Sequence, residues 1–119
     1  MEQAHPSLES PLGGISISNE AVAQIVGHTA AECYGVVGMS PRARVGRLLA
    51  RDRTTQGIAV GGGNGKGLTI DLYVVVEYGL NLAEVATTVR SRVRYEVERL
   101  TGLEIASIDV HIQDVRRSA

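Results

Sequence analysis

Residues 68–78 constrain the fold more than any other stretch of this chain. Leu68, Ile70, Leu72, Val74 and Val76 fall on one side; Thr69, Asp71, Tyr73, Val75 and Glu77 fall on the other. A period of two held this long specifies a β-strand. One side of that strand is wholly apolar and needs a covering layer, whereas the other is mixed. Upstream, Gly57-Ile58-Ala59-Val60 leads into the glycine run 61–67, so residues 57–78 read as a β-hairpin with a flexible tip.

The covering layer is written in the segments on either side. Val22, Ile25, Val26, Thr29 and Cys33 follow helical spacing, with Ser18 placed as N-cap and Glu20 in the first turn. Ile15 and Ile17 alternate with serines before this helix as a short strand, and Val36-Val37 after Gly35 read as a brief extended piece. A second helix follows Asn81, with Leu82, Val85, Ala86, Val89, Val93, Val97 and Leu100 as its stripe and Gly102 as its stop. At 1.5 Å per residue it is about 28 Å long, enough to cross a small sheet. The final strand spans residues 103–115, with Ile108, Val110 and Ile112 opposite Asp109, His111 and Gln113. Residues 41–52 form a shorter amphipathic piece, apolar at Val45, Leu48 and Leu49.

The order is therefore β-α-(α)-β-β-α-β, an α/β (α+β) chain. Its stripes are buried most simply in a two-layer sandwich, helices on one face of a three- to four-stranded mixed sheet. The strands around 68–76 and 108–112 are joined through a helix, which permits parallel pairing by a right-handed crossover. Residues 1–12 hold two prolines and no periodicity, so they read as a disordered or loosely attached arm before a single domain of residues 13–117.

Composition narrows the function classes. The chain of 119 residues has neither Phe nor Trp, so its core is aliphatic. A net charge of −1 argues against a general nucleic-acid binder. The single cysteine, Cys33, forms no internal disulfide and no cysteine-based metal knuckle. No secretory signal or membrane-length apolar run is evident, which points to a cytosolic protein.

Each reactive-looking motif has a plainer reading. The glycine run lacks the G-x-x-x-x-G-K-[ST] form of a phosphate loop, because Gly67 follows Lys66 and the run opens a strand. Asp71, Glu77, Asp109 and His111 share the mixed face if their strands are neighbours, yet a few such groups on an open face lack a closed ligand shell. Cys33 lies at a helix C-terminus, where nothing activates a thiol, and His28 reads as a surface or boundary residue. Arg42, Arg44, Arg47, Arg51 and Arg53 crowd the middle segment. Such a basic face is either solvated or docks on an acidic partner or anionic surface, and no aromatic residue accompanies it for membrane insertion. Tyr73 and Val75 give the mixed strand face an apolar share that a second copy would bury.

Three stretches together resemble the bacterial alkaline-shock protein family. They are Gly14-Ile15-Ser16-Ile17-Ser18 with the following helix and Tyr34-Gly35-Val36-Val37-Gly38-Met39; the strand Gly67 to Gly79; and Val93 through Thr101-Gly102-Leu103-Glu104-Ile105 to Ile112. The Arg-rich middle segment and the glycine-rich turn depart from the family's usual pattern. The resemblance implies a cytoplasmic protein of cell-envelope homeostasis, without catalytic activity or cofactor, that self-assembles or is tethered by a membrane-anchored relative. The expected function is thus a structural or adaptor protein whose partner-binding residues are Arg44, Arg47, Arg51, Tyr73 and Val75. The alternative is a regulatory module that senses a small ligand or modulates an enzyme complex, which calls for an apolar pocket with convergent polar groups.

Overall fold

A computed structural model describes residues 7–9, 16–40, 57–62 and 67–117. In chain order its elements are β1 (Ser7–Glu9), β2 (Ser16–Ser18), α1 (Asn19–Ala31), β3 (Val36–Met39), β4 (Ile58–Gly62), β5 (Leu68–Glu77), α2 (Leu82–Thr101) and β6 (Ile105–Arg116). The middle amphipathic piece expected at 41–52 lies outside the described residues.

Both helices begin as their sequences dictate. Ser18 Oγ accepts from the Ala21 amide at 3.1 Å, and Asn81 Oδ1 accepts from the Glu84 amide at 3.1 Å. Each bond satisfies one of the amides that a helix start leaves without a partner. α2 ends at Gly102, whose φ of 74° is left-handed and whose amide donates to the Glu98 carbonyl. Its buried residues are Val85, Val89, Val93, Val97 and Thr101. That row is narrower than the expected stripe, since Leu82 is 37% and Leu100 is 55% exposed.

β5 is the centre of the main sheet. β6 runs parallel to it along one edge, with Ile70 opposite Ile108 and Tyr73 opposite His111. The other edge is shared end to end by two antiparallel strands. β4 takes the first half, Ile58 opposite Leu72 through Gly62 opposite Leu68; β3 takes the second, Met39 opposite Val74 and Val36 opposite Val76. They meet at Tyr73, whose carbonyl accepts from the Ser40 amide and whose amide donates to the Gly57 carbonyl, both at 2.8 Å. β3 and β4 thus share one edge of β5 end to end, and the described sheet is three strands wide. The strand expected at 15–17 is not part of it: β2 pairs with β1 in a separate two-stranded ribbon.

α1 and α2 cover one face. Val22, Val26 and Ala30 from α1, with Cys33 just beyond it, meet the α2 valines over Leu68, Ile70, Leu72, Val74 and Val76, with Ile105 and Ile108 from β6. Fully burying each such side chain contributes about 1.5–3 kcal/mol. Gly35 is the close fit between layers: a Cβ there would stand 2.9 Å from Leu80 Cδ1 and 3.0 Å from Val85 Cγ2.

Candidate functional site: the uncovered sheet face

The sheet face turned away from the helices carries the sequence's chemically active residues. Because β5 and β6 run in parallel register, Asp71 lies beside Asp109 and Tyr73 beside His111. The diagonal neighbour is also within reach, as expected on a pleated surface. His111 donates from Nε2 to Asp71 Oδ1 at 3.0 Å, and its ring stacks on Tyr73 with centroids 4.5 Å apart and planes 12° apart. Both side chains remain 39% exposed. Of the four groups expected on this face, the structure joins Asp71 to His111 and sets Asp109 alongside. Glu77 stands at the far end, in register with Arg116. Among the described residues no three His, Cys, Asp or Glu side chains are arranged to hold a metal ion. The constellation can orient an imidazole and accept hydrogen bonds.

Val75 departs from expectation. It points to this face, yet it is only 3% exposed, so a single copy offers a partner almost none of its surface. The strand period assigns the face of a residue but not the height of its neighbours, and β5 is flanked at Val75 by both β3 and β6. Tyr73 is half-buried. Arg44, Arg47 and Arg51 lie in a segment outside the described residues. The described residues on either side of that segment, Ser40 and Gly57, both bond to Tyr73 and lie so close that a Cβ on Gly57 would clash with the Ser40 carbonyl oxygen.

The remaining candidates take their plainer readings. Cys33 is 4% exposed and its Sγ donates to the Thr29 carbonyl at 3.4 Å. Burial pushes its thiol pKa up; Arg92 pulls the other way more weakly, and Glu32 adds a smaller upward push. His28 sits exposed in the last turn of α1. Gly62 and Gly67 flank the hairpin tip with φ of 90° and 92°, strand on either side. A hollow of about 320 Å³ runs along α2 beside Thr87, Arg90, Ser91, Arg94, Tyr95 and Glu98. Its Arg94 is already engaged with the Ile105 carbonyl at 3.2 Å and Glu98 at 3.7 Å. The hollow is lined by hydroxyl-bearing and charged side chains and their apolar stems, all from one helix, whereas the sensor alternative calls for an enclosing apolar pocket with convergent polar groups.

The edge of β6 is a feature that the sequence reading passed over. Its signal was present, since residues 105–116 stay extended well past the alternation at Ile108–Ile112. No described strand pairs with its outer side.

No described helix is long and apolar enough to cross a membrane. In structure, the chain is similar to a variant of MamM CTD, with a TM-score of 0.53 over 84% of this chain and 95% of that one. At 17% identity the likeness is one of fold. In sequence it is 34% identical to the uncharacterized protein YloU of Bacillus subtilis over 92% of this chain and 93% of that protein. It is 30% identical to the uncharacterized protein Spy1614 of Streptococcus pyogenes serotype M6, over 87% and 88% respectively. The model of the alkaline-shock protein 23 family, described as having a cell envelope-related function, matches residues 7–117. Nearly the whole folded chain is covered by that match, and the chain belongs to this family.

Proposed function

We propose that this protein is a non-catalytic structural or adaptor protein of the envelope stress response, acting by self-association and by docking to a partner. The observation that supports it most is the one-sidedness of the fold. Two helices complete the core on one sheet face. The other face and the outer edge of β6 have no described element over them. Half-covered sheets of this kind are common sites of symmetric association. The partner best matched to a family with an envelope-related role is a membrane-anchored relative, which would hold the protein at the cytoplasmic side of the membrane. The Arg44, Arg47 and Arg51 face is the candidate docking patch, and the Tyr73 side of the sheet, with the β6 edge that bounds it, the candidate self-contact.

Light scattering coupled to size exclusion tests the first half. A mass above the 12.6 kDa of one chain is expected at micromolar concentration, and a strict monomer at high micromolar concentration overturns it. For the second half, a tagged pull-down from the native host, read by mass spectrometry, is expected to recover an envelope protein. Recovery that survives charge reversal at Arg47 and Arg51 removes the patch from the reading.

A further inference from the structure

We infer that the self-association edge is β6, pairing antiparallel with β6 of a second copy about a two-fold axis between Ile112 and Gln113. The inference rests on the self-association reading above and gives it a surface, a register and a test.

The strand is long and lies at the margin of the sheet, with β5 on one side and no described strand on the other. A row of backbone donors and acceptors on such an edge is a template for another strand, and charged side chains along it restrict which strand fits. The faces of β6 are set by its register with β5. Ile112 stands opposite Val74 but Asp114 stands opposite Val75, so Gln113 is an extra, bulged residue. Asp109, His111, Asp114 and Arg116 therefore share the uncovered face, and Val110 and Val115 share the helix-side face.

Faces match across the bulge when the axis lies between Ile112 and Gln113 or between Gln113 and Asp114, and of the two only the first sets Asp109 against an opposite charge. With the axis between Ile112 and Gln113, Asp109 meets the partner's Arg116 and His111 meets the partner's Asp114, all on the uncovered face. Val110 meets the partner's Val115 on the helix side. Two-fold symmetry repeats each contact, and directly opposed side chains of opposite charge stabilise antiparallel pairs. Moving the axis onto Ile112 sets Asp109 against Val115, which projects from the other face. The bulge thus lets the strand meet itself face to face, and the Asp109–Arg116 pairing selects the register.

Exposure supports the same edge. Along the helix side of β6, Ile105 and Ile108 are buried, Val110 and Ile112 partly so, and Val115 is 36% exposed. The apolar layer runs out toward the strand's end, where the partner's Val110 would continue it. The side chains of Asp114 and Arg116 stand in solvent, 56% and 65% exposed, and pair with each other at 3.6 Å, a contact that strand pairing would exchange for the partner's charges. Pairing in this way joins two three-strand-wide sheets into one six strands wide, with all four described helices on the same face.

A charge swap tests the register. In analytical ultracentrifugation at low salt, Asp109→Arg and Arg116→Asp are each expected to weaken self-association by about tenfold, since each sets like charges opposite twice. The double variant is expected to return to within about threefold of the wild type, as a direct pair requires. Oxidation of a Val110→Cys, Val115→Cys variant is expected to give a covalent dimer. If the wild type associates but the single variants do not weaken it, or the double variant fails to recover, or no cross-link forms, the β6 edge is wrong while self-association stands. A wild type that stays monomeric overturns both. Circular dichroism confirms that the exposed-site variants are folded before they are compared.

Discussion

His111, Asp71 and Tyr73 form a contact set whose members come from two strands, 40 residues apart for the ionic pair. A half-exposed pair of this kind orients its groups more than it stabilises the fold. Cys33 shows the opposite environment. Because burial raises its thiol pKa, the native state keeps the proton to higher pH than the unfolded chain does. The contribution to stability is therefore complete below the unfolded thiol's range, near 8.5, and is lost as pH rises through the native pKa. The stability advantage of wild type over Cys33→Ala is expected to narrow between pH 8 and pH 10 in urea titrations; a gap that widens contradicts the assignment. Native Cys33 should also react with iodoacetamide at pH 8 at least about tenfold more slowly than the urea-unfolded chain, since the thiolate is the reactive form.

In α2 the four-residue spacing of Val85, Val89, Val93 and Val97 seats one narrow row against the sheet, while Leu100 projects into solvent. Val93→Ala is expected to cost about 2 kcal/mol through lost burial and a residual cavity, and Leu100→Ala under about 0.5 kcal/mol. Equal costs in urea denaturation would mean that the helix is rotated from its described setting. The edge shared by β3 and β4 gives a second contrast. Gly57 has a φ of +80° and its Cβ position is 2.4 Å from the Ser40 oxygen, whereas a Cβ on Gly38 meets nothing within 4 Å. Gly57→Ala should therefore cost about 2–3 kcal/mol and Gly38→Ala under about 1 kcal/mol. A mild Gly57→Ala would show that β3 and β4 do not abut at Tyr73.

Across the molecule, the helices put the aliphatic core on one side and leave the charged and aromatic chemistry on the other. Ser40 and Gly57, which flank the Arg-rich segment in sequence, lie on one sheet edge and β6 forms the opposite edge. Docking and self-association through these two edges would not compete for surface. Edge pairing through exposed charges is also sensitive to ionic strength, because a Debye length falls from about 10 Å at 0.1 M to about 3 Å at 1 M salt. Self-association is expected to weaken by about threefold or more between 0.05 and 0.5 M NaCl, read by sedimentation. Indifference to salt would assign the interface to an apolar surface.

Much of the architecture was legible in local patterns. The alternation at Leu68–Val76, the valine row of α2 and the caps at Ser18, Asn81 and Gly102 depend on neighbours a few residues away, so the chain states them directly. The parallel pairing of the last strand with the central one also followed from the intervening helix. β3 was harder, since four residues carry little periodicity and its partner lies far along the chain. The separate β1–β2 ribbon, the abutment of Ser40 with Gly57, the burial of Val75 and the contact between Asp71 and His111 had no local signal at all. Each arises from which strands lie side by side and in what register. Side-chain period assigns a residue to a face, but long-range pairing assigns its neighbours, and burial and chemistry belong to the neighbours.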